Sequence, residues 1–185
     1  MESAGEPYTA HARREDVGII LSLIQELADY EHESDSVLAT EETLLNTIAW
    51  APSGEVTKGQ STAILPETEP VTPARPARCI LVYSPEGVAM GMALYFYNYS
   101  TWRSKPGIYL EDLYVRLSER KKGYGSILLK RLAKEVVAMN GGRLEWSVLK
   151  WNEPSIKFYE SIGAKRMDEW VGMRVDGDAL VKLAE

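Results

Sequence analysis

Tyr109-Leu110-Glu111-Asp112-Leu113-Tyr114-Val115-Arg116-Leu117-Ser118-Glu119-Arg120-Lys121-Lys122-Gly123-Tyr124-Gly125-Ser126 reads as a strand that runs into a basic, glycine-containing turn and then at once into a helix. Side chains alternate along a strand. Ile108, Leu110, Asp112 and Tyr114 are therefore expected on one face, with Tyr109, Glu111, Leu113 and Val115 on the other. The turn suits an anion. Gly123 and Gly125 let the backbone approach closely, the opening of the helix offers unpaired N–H groups, and Arg120, Lys121 and Lys122 add positive charge. It is not a P-loop, which ends Gly-Lys-Ser/Thr, nor a dinucleotide fingerprint, which needs a third glycine. Strand carboxylates beside a phosphate cradle point to a phosphorylated cofactor next to proton-transfer chemistry.

Toward the N-terminus, Tyr8 to Arg13 reads as a first strand. A helix capped by Glu15 or Asp16 then runs through Tyr30, with Ile20, Leu23, Ile24 and Leu27 on one face. Its end, Asp29-Tyr30-Glu31-His32-Glu33, is acidic, either a solvated helix end or the wall of a site for a positive group. His32 has no second His or Cys at ligand spacing, so no metal is expected. Thr40 opens a second helix, Glu41 to Ala49. Residues 51–78 turn to Pro, Thr, Ser, Gly and Glu, and Pro66, Pro70, Pro73 and Pro76 exclude regular structure over the second half, so a mobile insertion is expected there. Cys79 to Tyr83 and Val88 to Tyr97 read as an antiparallel pair. Trp102, in an otherwise polar loop, is the aromatic of this region assigned to a site.

After the central stretch come a helix from Tyr124 to Asn140 with Ile127, Leu128, Leu132, Val136 and Val137 buried, and a strand from Leu144 to Leu149. A short helix follows, capped by Asn152, with Pro154 in its first turn and Gly163 closing it. A last strand, Trp170 to Val175, precedes a terminal helical turn from Asp178. Antiparallel strands ahead of a strand–helix–strand crossover give an α/β fold: a mixed, mostly antiparallel sheet with helices on both faces, in a single domain over residues 1–185.

The 185 residues include 45% apolar and 26% charged residues, which supply an ordinary core and surface. No run approaches the roughly 20 apolar residues of a membrane span, the acidic first residues do not read as a secretory signal, and no membrane partner is expected. One cysteine, Cys79, excludes an internal disulfide framework and reads as an inert core thiol. An intracellular, cytoplasmic protein is expected. The net charge of −6 argues against nucleic acid as main partner and is compatible with a cationic substrate.

Arg120-x-x-Gly123-x-Gly125 after an acidic strand resembles the acyl-CoA-binding signature of the GNAT N-acetyltransferases. Asp29-Tyr30-Glu31, Tyr109-Leu110-Glu111-Asp112 and, above all, Trp151-Asn152-Glu153-Pro154-Ser155-Ile156-Lys157-Phe158-Tyr159 are similar to the diamine (spermidine/spermine) and thialysine acetyltransferases of that superfamily. The resemblance covers nearly the whole chain outside 51–78. It implies the GNAT fold, acetyl-CoA as cofactor, a small-molecule amine as substrate and a homodimer. Backbone N–H groups over Leu113, Tyr114 and Val115 would hold the thioester carbonyl and pantetheine. Those of Arg120, Lys121, Lys122, Gly123, Tyr124, Gly125 and Ser126 would hold the pyrophosphate, and Asn152 and Ser155 would contact the CoA arm. Tyr159 would protonate the leaving thiolate, being protonated at neutral pH, and Glu111 would take the amine's proton through water. Tyr30, Glu31, Trp102 and Asp112 would meet the substrate.

The chain departs from the diamine enzymes in two respects. Val171 and Met173 stand where those enzymes have an acidic residue and a tryptophan, which removes a contact for a distal ammonium. Lys121 stands where many relatives have glycine. The expected activity is acetyl transfer to the primary amine of a polyamine or a lysine-like amino acid. Acetylation of a protein or peptide lysine and a catalytically silent acyl-CoA-binding regulator are the alternatives.

Overall fold

The computed structural model describes residues 5–54 and 64–185. The middle of the expected insertion, residues 55–63, lies outside the described residues. The described chain forms two compact units, one ending at Ser147 and one spanning Val148–Glu185.

The first unit is built on five strands, β1 (Tyr8–His11), β2 (Arg78–Tyr83), β3 (Ala89–Ser100), β4 (Lys105–Val115) and β5 (Leu144–Trp146), in sequential order across the sheet. The first four pair antiparallel, and β5 joins β4 in parallel through Ile108↔Leu144 to Leu110↔Trp146. β5 is shorter than the expected Leu144–Leu149. β3 and β4 run on past the expected ends as a long hairpin whose tip carries Trp102.

Helices α1 (Val17–Glu31) and α2 (Glu41–Thr47) pack on one face. Ile20, Leu23, Leu44, Ile48 and Trp50 meet Cys79, Leu81, Met92 and Tyr114 in one buried cluster. α1 begins where Asp16 takes the backbone N–H and guanidinium of Arg13 (2.9–3.0 Å), and Thr40 caps α2 by accepting from Thr43 N. The other face carries α3 (Tyr124–Ala138). Its stripe is Leu128, Leu132, Glu135 and Val136, at helical spacing. Val137, expected inside, is 78% exposed, because the position that completes the stripe is a carboxylate. Glu135 is satisfied by the phenols of Tyr95 (3.0 Å) and Tyr97 (2.7 Å), with His11 Nε2 2.9 Å from the Tyr95 hydroxyl and Arg131 3.6 Å away. Burial and the Arg131 and Arg78 charges push His11 down to about 3. Burial raises Glu135, against the pull of the two phenols.

The described flanks of the insertion contain only isolated bridges. Glu69 pairs with Arg14 (2.7 Å) and Arg75 (2.6 Å), Thr68 accepts from Arg78, and the Ile64 carbonyl from Arg131 on α3.

The second unit holds α4 (Glu153–Ser161) and α5 (Gly177–Leu183). Asn152 Oδ1 accepts from Ser155 N at 3.3 Å and Pro154 sits in the first turn of α4. The expected strand Trp170–Val175 is not formed: residues 165–176 contain neither strand nor helix. Its apolar residues are interrupted by Gly172 and Arg174 and have no recorded ladder partner among the described residues.

Candidate active site

The central strand departs from simple alternation at one residue. Leu94 pairs with Asp112 while Tyr95 pairs with Leu110, so Glu111 is the extra residue of a β-bulge. The expectation that Leu110 and Asp112 share a face is thereby overturned. Leu110 lies with Tyr95 on the α3 side, and Asp112 turns with Leu94 and Tyr114 to the α1 side. Leu113 and Val115 face α3, and Glu111 is exposed. The ladder with β5 ends at Leu110↔Trp146, so the bulge and Leu113–Val115 lie beyond the last pair on that edge.

The bulge brings carboxylates from two separate elements within electrostatic reach of one another. Asp112 is half-buried on the α1 side, and burial, then the Glu111 and Glu31 charges, push it up to about 6. Glu31 ends α1 and is itself raised by burial and by Glu33. A protonated amine entering here would relieve both costs at once.

The turn after β4 is fastened to α1. A single 3₁₀ turn, Leu117–Glu119, separates Arg116 from Arg120. Arg116 donates from Nε to Glu26 Oε1 at 3.2 Å and from Nη1 to the Ala89 carbonyl at 3.2 Å. Arg120 lays its guanidinium 4.1 Å from the centroid of the Tyr30 ring and donates from Nε to the Val115 carbonyl at 3.2 Å. The sequence reading did not single out Glu26 or Arg116. The signal was present, since Glu26 and Tyr30 are four apart on α1, as the two arginines are in the turn.

Beyond Arg120, Lys121 (φ 67°) and Gly123 (φ 89°) adopt left-handed backbone and open α3. Glycine adopts this conformation at little cost and lysine does not, which accounts for glycine suiting position 121. Lys121 and Lys122 are exposed, with Lys122 bonded to Glu119 (2.9 Å). A Cβ built on Gly123 would have nothing within 4 Å, so the backbone is open to a close-lying ligand. Tyr124, Gly125 and Ser126 form the first turn of a 15-residue helix, whose N–H groups have no acceptor within the helix. The open glycine, two lysines and helix terminus fit a pyrophosphate.

The remaining candidates lie elsewhere. Trp102 is 92% exposed at the hairpin tip, with roughly 20 Å of extended strand between Lys105 and Asp112. Within one chain it is not brought to the carboxylates. Tyr159, Asn152 and Ser155 belong to the second unit, where the Tyr159 ring lies 5.4 Å from that of Phe158. Tyr114 is buried, so any ligand contact there falls to its backbone.

Among the described residues, no helix is long and apolar enough to cross a membrane. The profile of the Acetyltransferase (GNAT) family matches residues 41–164. Over 94% of each chain the sequence is 34% identical to a thialysine N-epsilon-acetyltransferase of Bos taurus. It is 44% identical to an L-ornithine N5-acetyltransferase of Arabidopsis thaliana over half of this chain and 41% of that one. The fold superposes on an integron cassette protein of V. cholerae with a TM-score of 0.69, at 25% identity over 97% of this chain and 98% of that one.

Proposed function

Because the chain belongs to the GNAT acetyltransferase family, we propose that it transfers the acetyl group of acetyl-CoA to a primary amine of a small cationic molecule, a lysine- or ornithine-like amino acid or a polyamine. The observation that carries this reading is the bulge at Glu111. It turns Asp112 toward Glu31 while leaving Glu111 at the strand edge beyond the last β5 pair, so an ammonium ion would find carboxylates from two elements.

Relatives whose names give thialysine and ornithine as substrates support an amino acid with a side-chain amine over a long polyamine. Val171 and Met173, without a carboxylate at either position, favour the same choice. We read residues 1–185 as one acetyltransferase domain, since both the family match and the bovine alignment run across the boundary at Ser147. A homodimer is part of the proposal, to be checked by light scattering.

When bound, acetyl-CoA supplies an acetyl group activated as a thioester. In our assignment the N–H groups of residues 120–126 hold its pyrophosphate, and those at Leu113 to Val115 orient the carbonyl and polarise it. Asp112 and Glu31 hold the amine's positive charge. Glu111 accepts the proton lost by the attacking nitrogen, through water. Tyr159 would supply the proton that the departing thiolate requires, so that one proton enters the protein at Glu111 and one leaves it at Tyr159.

The test is thiol release from acetyl-CoA over a panel of thialysine, lysine, ornithine, putrescine, spermidine and a lysine-containing peptide. Turnover with the amino acids and weaker turnover with spermidine is expected. Turnover with the peptide alone would replace the substrate class, and acetyl-CoA binding without turnover would leave an acyl-CoA-binding protein.

A further inference from the structure

Ser22, Glu26 and Tyr30 lie four residues apart along α1, on the stripe that faces the turn between β4 and α3. Glu26 gathers Ser22 Oγ (3.2 Å) and Arg116 Nε (3.2 Å), and its charge lies near enough to Tyr114 to help raise that phenol. One helical turn on, the Tyr30 ring lies against the Arg120 guanidinium at 4.1 Å, and the Tyr114 ring stands 5.7 Å from the same group. The Nε of Arg120 is committed to the Val115 carbonyl. Among the described residues, no bond is recorded for its two Nη groups, and they form the edge that remains for an anion.

We propose that Tyr30 is a positioning residue for the cofactor: its ring, together with the Val115 carbonyl, fixes the plane of Arg120 so that the Nη edge is presented to the pyrophosphate, while Glu26 and Arg116 anchor the other end of the same turn. An arginine free on a surface turn loses rotamer entropy when it meets a phosphate. One already stacked and hydrogen-bonded has lost it beforehand. The aromatic at the amine end of α1 thus acts on the other substrate. This inference rests on acetyl-CoA being the donor, but not on which amine accepts.

The experiment is direct titration of CoA and of pantetheine, which lacks the pyrophosphate, with no amine present. CoA is followed by calorimetry and pantetheine by ligand-observed NMR. Tyr30→Leu removes the π-face and is expected to weaken CoA by about 5- to 30-fold, the range of a partly desolvated cation–π contact, while leaving pantetheine unchanged. Tyr30→Phe keeps the ring and should bind CoA within about twofold of the parent. In an Arg120→Ala background, Tyr30→Leu should cost nothing further. Should Tyr30→Leu fail to fold, Tyr30→Met serves in its place.

Unchanged CoA affinity in Tyr30→Leu, equal losses for CoA and pantetheine, or full additivity with Arg120→Ala would each overturn the proposal. Failure of the parent protein to bind CoA would remove the acetyl-CoA reading and this inference with it, an outcome distinct from the other three.

Discussion

Leu94 pairs across the β3–β4 ladder with Asp112, and the chain passes over Glu111 to reach it. That one extra residue sends Asp112 and Tyr114 to the α1 face, where Tyr114 is 3% exposed in the buried cluster. Deleting Glu111 would make Leu110 and Asp112 consecutive, restore strict alternation and leave Asp112 and Tyr114 on the α1 face with their present partners. The Tyr114 packing is then kept, so the urea midpoint of the deletion should stay near the parent's while turnover is lost with the Glu111 carboxylate. Glu111→Gln, which keeps the bulge, should melt near the parent and lose turnover. A collapsed midpoint for the deletion would show that Asp112 and Tyr114 need the extra residue to keep their places on the α1 face.

The Asp112 carboxyl, raised to about 6 from an ordinary 3.8, gives the amine site a pH dependence. Below about 6 the folded protein holds Asp112 neutral, so the attraction for an ammonium is reduced. Above it the charge is complete. The amine KM should therefore fall as pH rises from 5 to 7, by up to about tenfold if Asp112 touches the cation. Asp112→Asn should raise KM at pH 7.5 and flatten the profile, while the acetyl-CoA KM stays level. A KM profile unchanged by the substitution would remove Asp112 from the site.

Tyr159→Phe should lower kcat by about 10²-fold at saturating substrate, with CoA affinity intact, because only proton delivery to the sulfur is removed. The remaining activity should respond to the donor: a thioester of a more acidic thiol, which leaves without a proton, should recover much of the loss. Parent-like kcat in the variant would reject the assignment.

Much of this fold could be read along the chain wherever a signal was local. Asn152 and Thr40 announce their helices because a side chain of the right reach sits one turn before the backbone N–H it caps. α3 begins at the residue expected, since Gly123 takes the left-handed conformation in front of it. The bulge at Glu111 left no such mark, because period-two reading assumes an unbroken ladder and register depends on the partner strand. For Trp170–Val175, alternation described a strand, but pairing is a property of what lies alongside. The Arg120–Tyr30 contact joins residues ninety positions apart, and each alone reads as an ordinary ligand candidate. Glu135, like Glu26 and Arg116, carried a signal along the chain: a carboxylate at the position completing an apolar stripe is buried or breaks it.

His11 and Glu135 face one another on the α3 side of the sheet, 3.9 Å apart, and their shifts act on stability in opposite senses. His11 is held down to about 3 from 6.5, so between those values the unfolded chain binds a proton that the folded one does not. Its contribution is complete above about 6.5 and is lost progressively as pH falls toward 3. Glu135 is raised from 4.5, so its ionisation costs folded stability as pH rises through and above that value. Tyr95, Tyr97, Arg131 and Arg78 are the other titratable or charged groups facing the pair, and the first two remain protonated throughout because burial raises both phenols. Between pH 6.5 and 5 the two slopes oppose one another, and the His11 part alone amounts to at most about 1.4 kcal/mol per pH unit. His11→Gln, which can still bond the Tyr95 hydroxyl but takes no proton, should be less stable than the parent at pH 7.5 and should lose less stability than the parent on acidification over that interval, because only the opposing Glu135 slope remains. Urea titrations at four pH values would check this, and parallel slopes in the two proteins would show that His11 is not the group being charged.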